Sequence, residues 1–154
     1  ESVTLNKGTA AGISTNMPVL TADGLVGHTV DVSEHTCEVL LLTDPGSKVS
    51  CRLARTGMFG ILRGMGVSAG GKHQLEMFLS ARPARMDFIR KDEAIMASDE
   101  VLTSGLGGIY PEGLRVGFIV ESGYDPSGLF QHADIVPAAD LAGLRYAYVV
   151  RQQR

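Results

Sequence analysis

The sequence predicts an all-β protein built as two small, mainly antiparallel six-stranded β-barrels side by side, with little helix. Three observations point there. Short apolar segments with a two-residue period recur along the 154 residues, and 19 glycines, about 12% against a usual share of about 7%, punctuate them. No segment carries the broad apolar stripe of a packed helix. A chain of this length with 44% hydrophobic residues buries roughly two thirds of its unfolded surface, which excludes intrinsic disorder. The expected division is residues 1–62 for the first barrel and 63–135 for the second, with 136–154 a C-terminal strand returning to the first.

The strands follow in order. Val26, His28, Val30 and Val32 alternate with Gly27, Thr29, Asp31 and Ser33, the period of a strand with one buried face. Val39-Leu40-Leu41-Leu42 is apolar at every position, as for a strand covered on both sides, and stops at the turn Asp44-Pro45-Gly46-Ser47. Val49, Cys51 and Leu53 alternate with Lys48, Ser50 and Arg52. Leu75, Met77 and Leu79 alternate with Gln74, Glu76 and Phe78, and Val116, Phe118 and Val120 with Gly117, Ile119 and Glu121. Tyr146, Tyr148 and Val150 close the chain. Residues 82–97 have room for a short helix and 137–144 for a single turn. A hairpin closed at Asp44-Pro45-Gly46-Ser47 sets Cys51 opposite about Leu40, an odd offset from Cys37. The two thiols then face opposite sides of the sheet and stay free and buried.

Charge narrows the partners. A net charge of −3 and a pI near 5.8 lack the basic excess of a duplex-binding surface, so nucleic acid is not expected. The densest basic stretch, Arg82, Arg85, Arg90 and Lys91, is offset by Asp87, Asp92 and Glu93 and reads as a solvated surface. No apolar run approaches the ~18 residues of a membrane span. Two cysteines and four histidines without a local CxxC or HxxxH pair do not make a zinc site, so no metal or cofactor is expected. The pairs Asp92-Glu93 and Asp99-Glu100 point to opposite faces in an extended chain and read as solvated carboxylates rather than acid/base catalysts. Gly64-Met65-Gly66 and Gly70-Gly71 read as hairpin loops, because no phosphate-binding lysine or helix start follows them.

A second group of residues has chemistry to weigh. His28 or His35, Asp44 or Asp87, and Ser104 occur in the order of a chymotrypsin-like two-barrel serine protease, the alternative reading of this chain. Against it, the strand period places His28 on an apolar face, and TSGLGG around Ser104 does not reproduce an oxyanion loop. Met58, Met65 and Met77 with Phe59, Phe78 and Phe88 are candidates for a sticky outer face, half of them expected in the core. An internal echo links KGTAAGISTNMPVLTADGLVGHTV from Lys7 to TSGLGGIYPEGLRVGFIV from Thr103: a Gly pair, an Ile, a Pro, then Gly-Leu leading into an alternating strand.

Several ordered motifs together resemble the rod shape-determining protein MreC family over nearly the whole chain. They are LNKGTAAGI from Leu5, MPVLTADGLVG from Met17, VLLLTDPGS from Val39, GILRG from Gly60, DEVLTSGLGGIYPEGLRVG from Asp99 and VPAADL from Val136. Ser98 departs from the pattern, because the family usually carries glycine just before the Asp, and 81–97 is longer than usual. The resemblance implies a non-catalytic cell-shape scaffold on the extracytoplasmic side of the cell envelope. It implies a membrane helix and coiled coil outside these residues, self-association, and binding of the elongation-specific penicillin-binding transpeptidase, MreD and MreB.

Two surfaces are candidates for such contacts. The glycines of TSGLGGIYPEG and the fixed φ of Pro111 allow a preorganised loop presenting Leu106, Ile109, Tyr110 and Pro111. The terminal segment 144–152 is a candidate edge strand, with Tyr146 and Tyr148 inward and Arg145 and Arg151 outward.

Overall fold

A computed structural model of the chain describes residues 2–66 and 83–151. Those residues form eleven strands and one short 3-10 helix at Thr9–Ala11. Strands β1 (Ser2–Leu5), β2 (Pro18–Leu20), β3 (Leu25–Val32), β4 (Cys37–Leu41) and β11 (Tyr148–Val149) make an antiparallel sheet in the order β1-β4-β3-β2-β11. Strands β5 (Lys48–Leu53), β6 (Phe59–Gly64), β7 (Ala84–Arg90), β8 (Glu100–Thr103), β9 (Arg115–Tyr124) and β10 (Phe130–Pro137) close into an antiparallel barrel, β10-β7-β6-β5-β8-β9. The all-β class holds, and one six-stranded barrel is present. The other unit is an open five-stranded sheet with β1 and β11 at its edges, not a second barrel. The strands that follow the Asp44-Pro45-Gly46-Ser47 turn do not join the sheet: β5 pairs with β6 and β8, and β6 with β7, so they are staves of the barrel. The expected strand around Leu75, Met77 and Leu79 lies outside the described residues.

The turn Asp44-Pro45-Gly46-Ser47 carries the chain from sheet to barrel. Its backbone is held by Gly46 N donating to Asp44 Oδ2 at 2.7 Å and Ser47 N donating to Asp44 O at 2.8 Å. No hairpin forms between β4 and β5, which corrects the expected placing of Cys51 opposite Leu40. Cys37 lies opposite Leu5 and Val32, whereas Cys51 lies opposite Gly60 and Thr103 in the other sheet. Both thiols are free and buried, and burial pushes the Cys51 thiol up to about 12.

Two neighbouring pairs of residues tie the units together. Leu41 faces the sheet core with Val19, Val26 and Val39, while Leu42 enters the barrel core. On β3, Val26 joins the sheet core while Leu25 joins the barrel core. The unbroken apolar run at 39–42 therefore serves two cores, Val39 and Leu41 the sheet's and Leu42 the barrel's. Each fully buried leucine contributes about 2 kcal/mol, so neither unit is free to part from the other cheaply. The two echoed segments also share a feature: a Cβ on Gly27 would collide with the carbonyl oxygen of Leu40, and one on Gly117 with that of Val136. Only glycine lets the neighbouring strand come that close.

Several strands change face part-way, and these changes overturn local readings. Residues 82–97 hold β7 rather than a helix. Met86 and Ile89 are both buried because Asp87 and Phe88 together oppose the single His132 of β10, a β-bulge with Phe88 at φ +64°. On β9 the register shifts near Val116 and again near Val120, so Val116 and Ile119 point inward while Phe118 and Val120 are exposed. On β3 a shift beside Val26 buries Thr29, whose hydroxyl donates to Ser14 O at 2.6 Å and accepts from Met17 N at 3.0 Å. Pro137 ends β10, and residues 138–144 hold bends and no helical turn, with Gly143 N donating to Asp140 Oδ1.

Asp99, expected at the surface, is buried. The Arg55 guanidinium grips both its oxygens, at 2.8 and 2.9 Å, and Met96 N donates to it at 2.8 Å, holding its carboxyl below the usual range. The turn delivering it forces Ser98 to φ +71°, with Ser98 N donating to Ile119 O. A serine there carries left-handed strain that glycine does not. Ser98→Gly should therefore raise stability by about 1 kcal/mol, or Tm by about 3 °C, in thermal unfolding followed by circular dichroism. Ser98→Ala should show no gain. Equal melting of the glycine chain and the parent would refute the strain.

Candidate functional site

The glycine-rich loop between β8 and β9 is built from its base upward. Thr103, fully buried at the end of β8, donates its hydroxyl to Pro111 O at 2.6 Å and accepts from Leu114 N at 2.8 Å, closing the loop's neck. Ser104 bolts the loop to β5: its N donates to Ser50 O at 2.9 Å and its Oγ to Ser50 Oγ at 2.8 Å, while Leu106 N donates back to Ser104 Oγ. Gly105, Gly107 and Gly108 take φ of +84°, +92° and +82°, left-handed conformations that glycine adopts without strain.

The loop's side chains separate. Leu106 is 58% exposed, Ile109 is half-buried against the barrel core, Tyr110 is buried and Pro111 is exposed. Tyr110 is thus an internal anchor rather than a presented side chain. Its Oη shares a 2.8 Å hydrogen bond with His28 Nδ1 of β3, and the rings meet edge to face at 5.9 Å. Burial pushes the Tyr110 phenol up and the His28 imidazole down from its ordinary 6.5, so both are neutral at pH 7. This contact crosses from barrel to sheet.

Beside the loop, the outer face of β5, β6 and β7 forms an open cleft of about 380 Å³. Lys48 and Ser50 of β5, Ile61 of β6, Phe88 of β7 and the loop residues Leu106, Gly107, Ile109 and Tyr110 line it. Three of the four expected loop residues are therefore brought together at one surface. Lys48, Ser50, Ile61 and Phe88 complete it and are not identified as site residues by sequence. The signal available was the outward parity of Lys48 and Ser50 together with Phe88 in the apolar set. Of that set, Phe59, Phe88 and Met65 are exposed and Met58 is buried, while Met77 and Phe78 lie outside the described residues.

The candidate edge strand lies apart, in the open sheet. Among its described residues only Tyr148–Val149 is strand, paired with Leu20 and Val19 of β2. For the tyrosines the expected parity is reversed: Tyr146 and Tyr148 are exposed, at 84% and 65%, because Ala147 and Val149 take the inward positions on the sheet core. Arg145 is exposed. Arg151 donates from its guanidinium to Ala11 O at 2.6 Å, strapping the C-terminal segment to the turn after β1.

The side chains of the alternative protease reading are engaged elsewhere. His28 bonds Tyr110, Ser104 bonds Ser50, Asp87 pairs with Arg63 at 3.1 Å, and His35 lies at the surface beside Glu34. Among the described residues no cluster of three metal-ligating side chains occurs, and no helix is long and apolar enough to cross a membrane.

Comparison with known proteins agrees with this architecture. The family model "Rod shape-determining protein MreC, barrel core" matches residues 1–151. The cell shape-determining protein MreC of Caulobacter vibrioides is 35% identical over 93% of this chain and 36% of its own length. The crystal structure of MreC from Pseudomonas aeruginosa aligns with a TM-score of 0.81 at 27% identity, covering 97% of this chain and 88% of that one. A Helicobacter pylori complex between penicillin-binding protein PBP2 and MreC shares the fold, at a TM-score of 0.67 and 22% identity, covering 96% of this chain and 85% of that one. The chain spans between about a third and a half of the curated relatives it matches.

The junction between barrel and sheet is testable. Tyr110→Phe should cost about 1 kcal/mol by removing one neutral hydrogen bond. The folded-state pKa of His28 lies below its unfolded value, so its contribution is intact above about pH 6.5 and is lost as pH falls through the lower folded value. Stability measured by urea unfolding should fall from pH 7.5 to 5.5, and His28→Gln should flatten that part of the profile. An identical slope in the variant would refute the role of His28.

Proposed function

The chain belongs to the rod shape-determining protein MreC family, and from that premise we propose that it is a non-catalytic scaffold of the cell-wall elongation machinery. In this reading it works on the extracytoplasmic side of the envelope, anchored to the inner membrane through chain outside these residues. It self-associates, binds the peptidoglycan-synthesising penicillin-binding transpeptidase, and with MreD couples it to MreB.

The observation that carries the proposal is the loop 104–112 beside its cleft. Thr103, Ser104 and Tyr110 hold its backbone, so Leu106 is presented to solvent with little further ordering to lose on binding. Every side chain that holds the loop is occupied with structural bonds, which suits a docking surface more than a reaction centre. The complex of penicillin-binding protein PBP2 with MreC from Helicobacter pylori supports the choice of partner, since that MreC and this chain share a fold. Self-association has a separate support in the open sheet, where β1 and β11 end the hydrogen-bonded order and leave edges for strand addition.

Because Tyr110 is an anchor, Leu106 is the residue on which to test contact. Leu106→Asp should leave Tm unchanged and weaken binding to the transpeptidase's extracytoplasmic part at least tenfold in surface plasmon resonance. A tenfold change corresponds to about 1.4 kcal/mol. Unchanged affinity would refute the loop's role. For the edges, sedimentation over a concentration series should show growing dimer, whereas a strictly monomeric chain at high concentration would count against strand pairing through these residues.

A further inference from the structure

The cleft beside the loop has a chemical bias of its own. Its walls are apolar, from Ile61, Phe88, Leu106 and Ile109, and Lys48 stands on its rim. Among the described barrel residues, each of six arginines has a carboxylate partner: Arg52 with Glu112, Arg55 with Asp99, Arg63 with Asp87, Arg85 with Asp134, Arg90 with Asp92 and Arg115 with Glu100. Among the described barrel residues, Lys48 and Lys91 have no such partner, and of these Lys48 alone lines the cleft. Its partner across the strands, Arg63, has its charge met by Asp87, so among the described residues lining the cleft the ammonium of Lys48 is an uncompensated cation.

Phe88 adds a second observation. The β7 bulge turns it outward in a left-handed conformation, 65% exposed, with the ring of Phe130 edge to face against it at 5.9 Å. A bulky residue at positive φ is strained by about 1–2 kcal/mol, and an aromatic ring left in water gains nothing from burial. An apolar group covering the ring recovers the burial that the exposed position forgoes.

We infer that the cleft receives an acidic peptide segment of a partner protein, an apolar side chain entering between Ile61, Phe88 and Leu106 while a flanking carboxylate pairs with Lys48. The inference rests on the docking role proposed for this face and specifies what docks there. An apolar anchor supplies affinity, and the single unpaired cation selects the sign of the flanking charge.

The test uses two capped peptides of opposite charge, acetyl-Glu-Phe-Leu-Glu-amide and acetyl-Lys-Phe-Leu-Lys-amide, titrated into the isotopically labelled chain and followed by amide chemical shifts. The acidic peptide should move the amides of Lys48, Ser50, Ile61, Phe88 and Leu106. It should bind at least tenfold tighter than the basic one at 20 mM salt, an advantage of about 1.4 kcal/mol that collapses near 1 M as screening shortens to about 3 Å. Lys48→Glu, at an exposed position, should reverse the preference, and Phe88→Gly, which relieves the strained φ, should weaken both peptides. Equal binding of the two peptides, shifts confined to another face, or a preference unmoved by Lys48→Glu would overturn the inference. So would peptide-free self-association abolished by Lys48→Glu, which would assign the cleft to a second copy. A chain that selects the acidic peptide but does not bind the transpeptidase would sink the partner assignment and leave the cleft chemistry standing; the converse would sink the cleft chemistry alone.

Discussion

Closure of the six-stranded barrel is the constraint on which the rest of this structure depends. A closed sheet leaves no unpaired edge, but six strands curve so tightly that a strict two-residue alternation cannot be kept along every one of them. The chain meets the curvature with bulges. Two residues of β7 oppose one of β10, and β9 slips register against both of its neighbours. Each slip turns a side chain from one face to the other. Ile89 and Ile119 enter the core as a result, and Phe88, Phe118 and Val120 are turned out.

The cleft follows from that geometry. Phe88 is at its rim because of the bulge, and Lys48, Ser50 and Ile61 are beside it because β5, β6 and β7 are consecutive staves of the barrel. The glycine-rich loop supplies the remaining wall, and it is held by bonds that look inward. Thr103 ties its neck, Ser104 ties it to β5, and Tyr110 reaches the imidazole of His28 on the neighbouring sheet. Together with Leu25 and Leu42, which leave the sheet for the barrel core, Tyr110 makes the two units mechanically continuous.

The polar groups tell the same story in electrostatic terms. Asp99 is buried but gripped by Arg55 and a backbone amide, so its charge is compensated and it stabilises the turn that positions β8. His28, a catalytic candidate by chain order, is kept neutral by burial and spends its ring nitrogen on Tyr110. Against this background of satisfied charges, the bare ammonium of Lys48 beside an apolar wall is distinctive.

By itself the sequence determined what local chemistry can dictate. Alternation marks β3 and β5, the Asp44-Pro45-Gly46-Ser47 turn ends β4, glycines with positive φ shape the loop after β8, and the ordered motifs identify the family. It also placed Leu106, Ile109 and Tyr110 in one loop, where the structure finds them. Partnering across the chain was decided only by tertiary structure. Nothing local tells β5 and β6 to join β7 and β8 rather than the strands before them, or tells Tyr146 and Tyr148 to stay outside while Ala147 and Val149 turn in. Apolar content alone cannot say that Leu41 and Leu42 go to different cores, or that Phe88 faces water. Those outcomes depend on which distant strand supplies the hydrogen bonds and where the closing sheet must bulge, and both are settled by contacts many tens of residues apart.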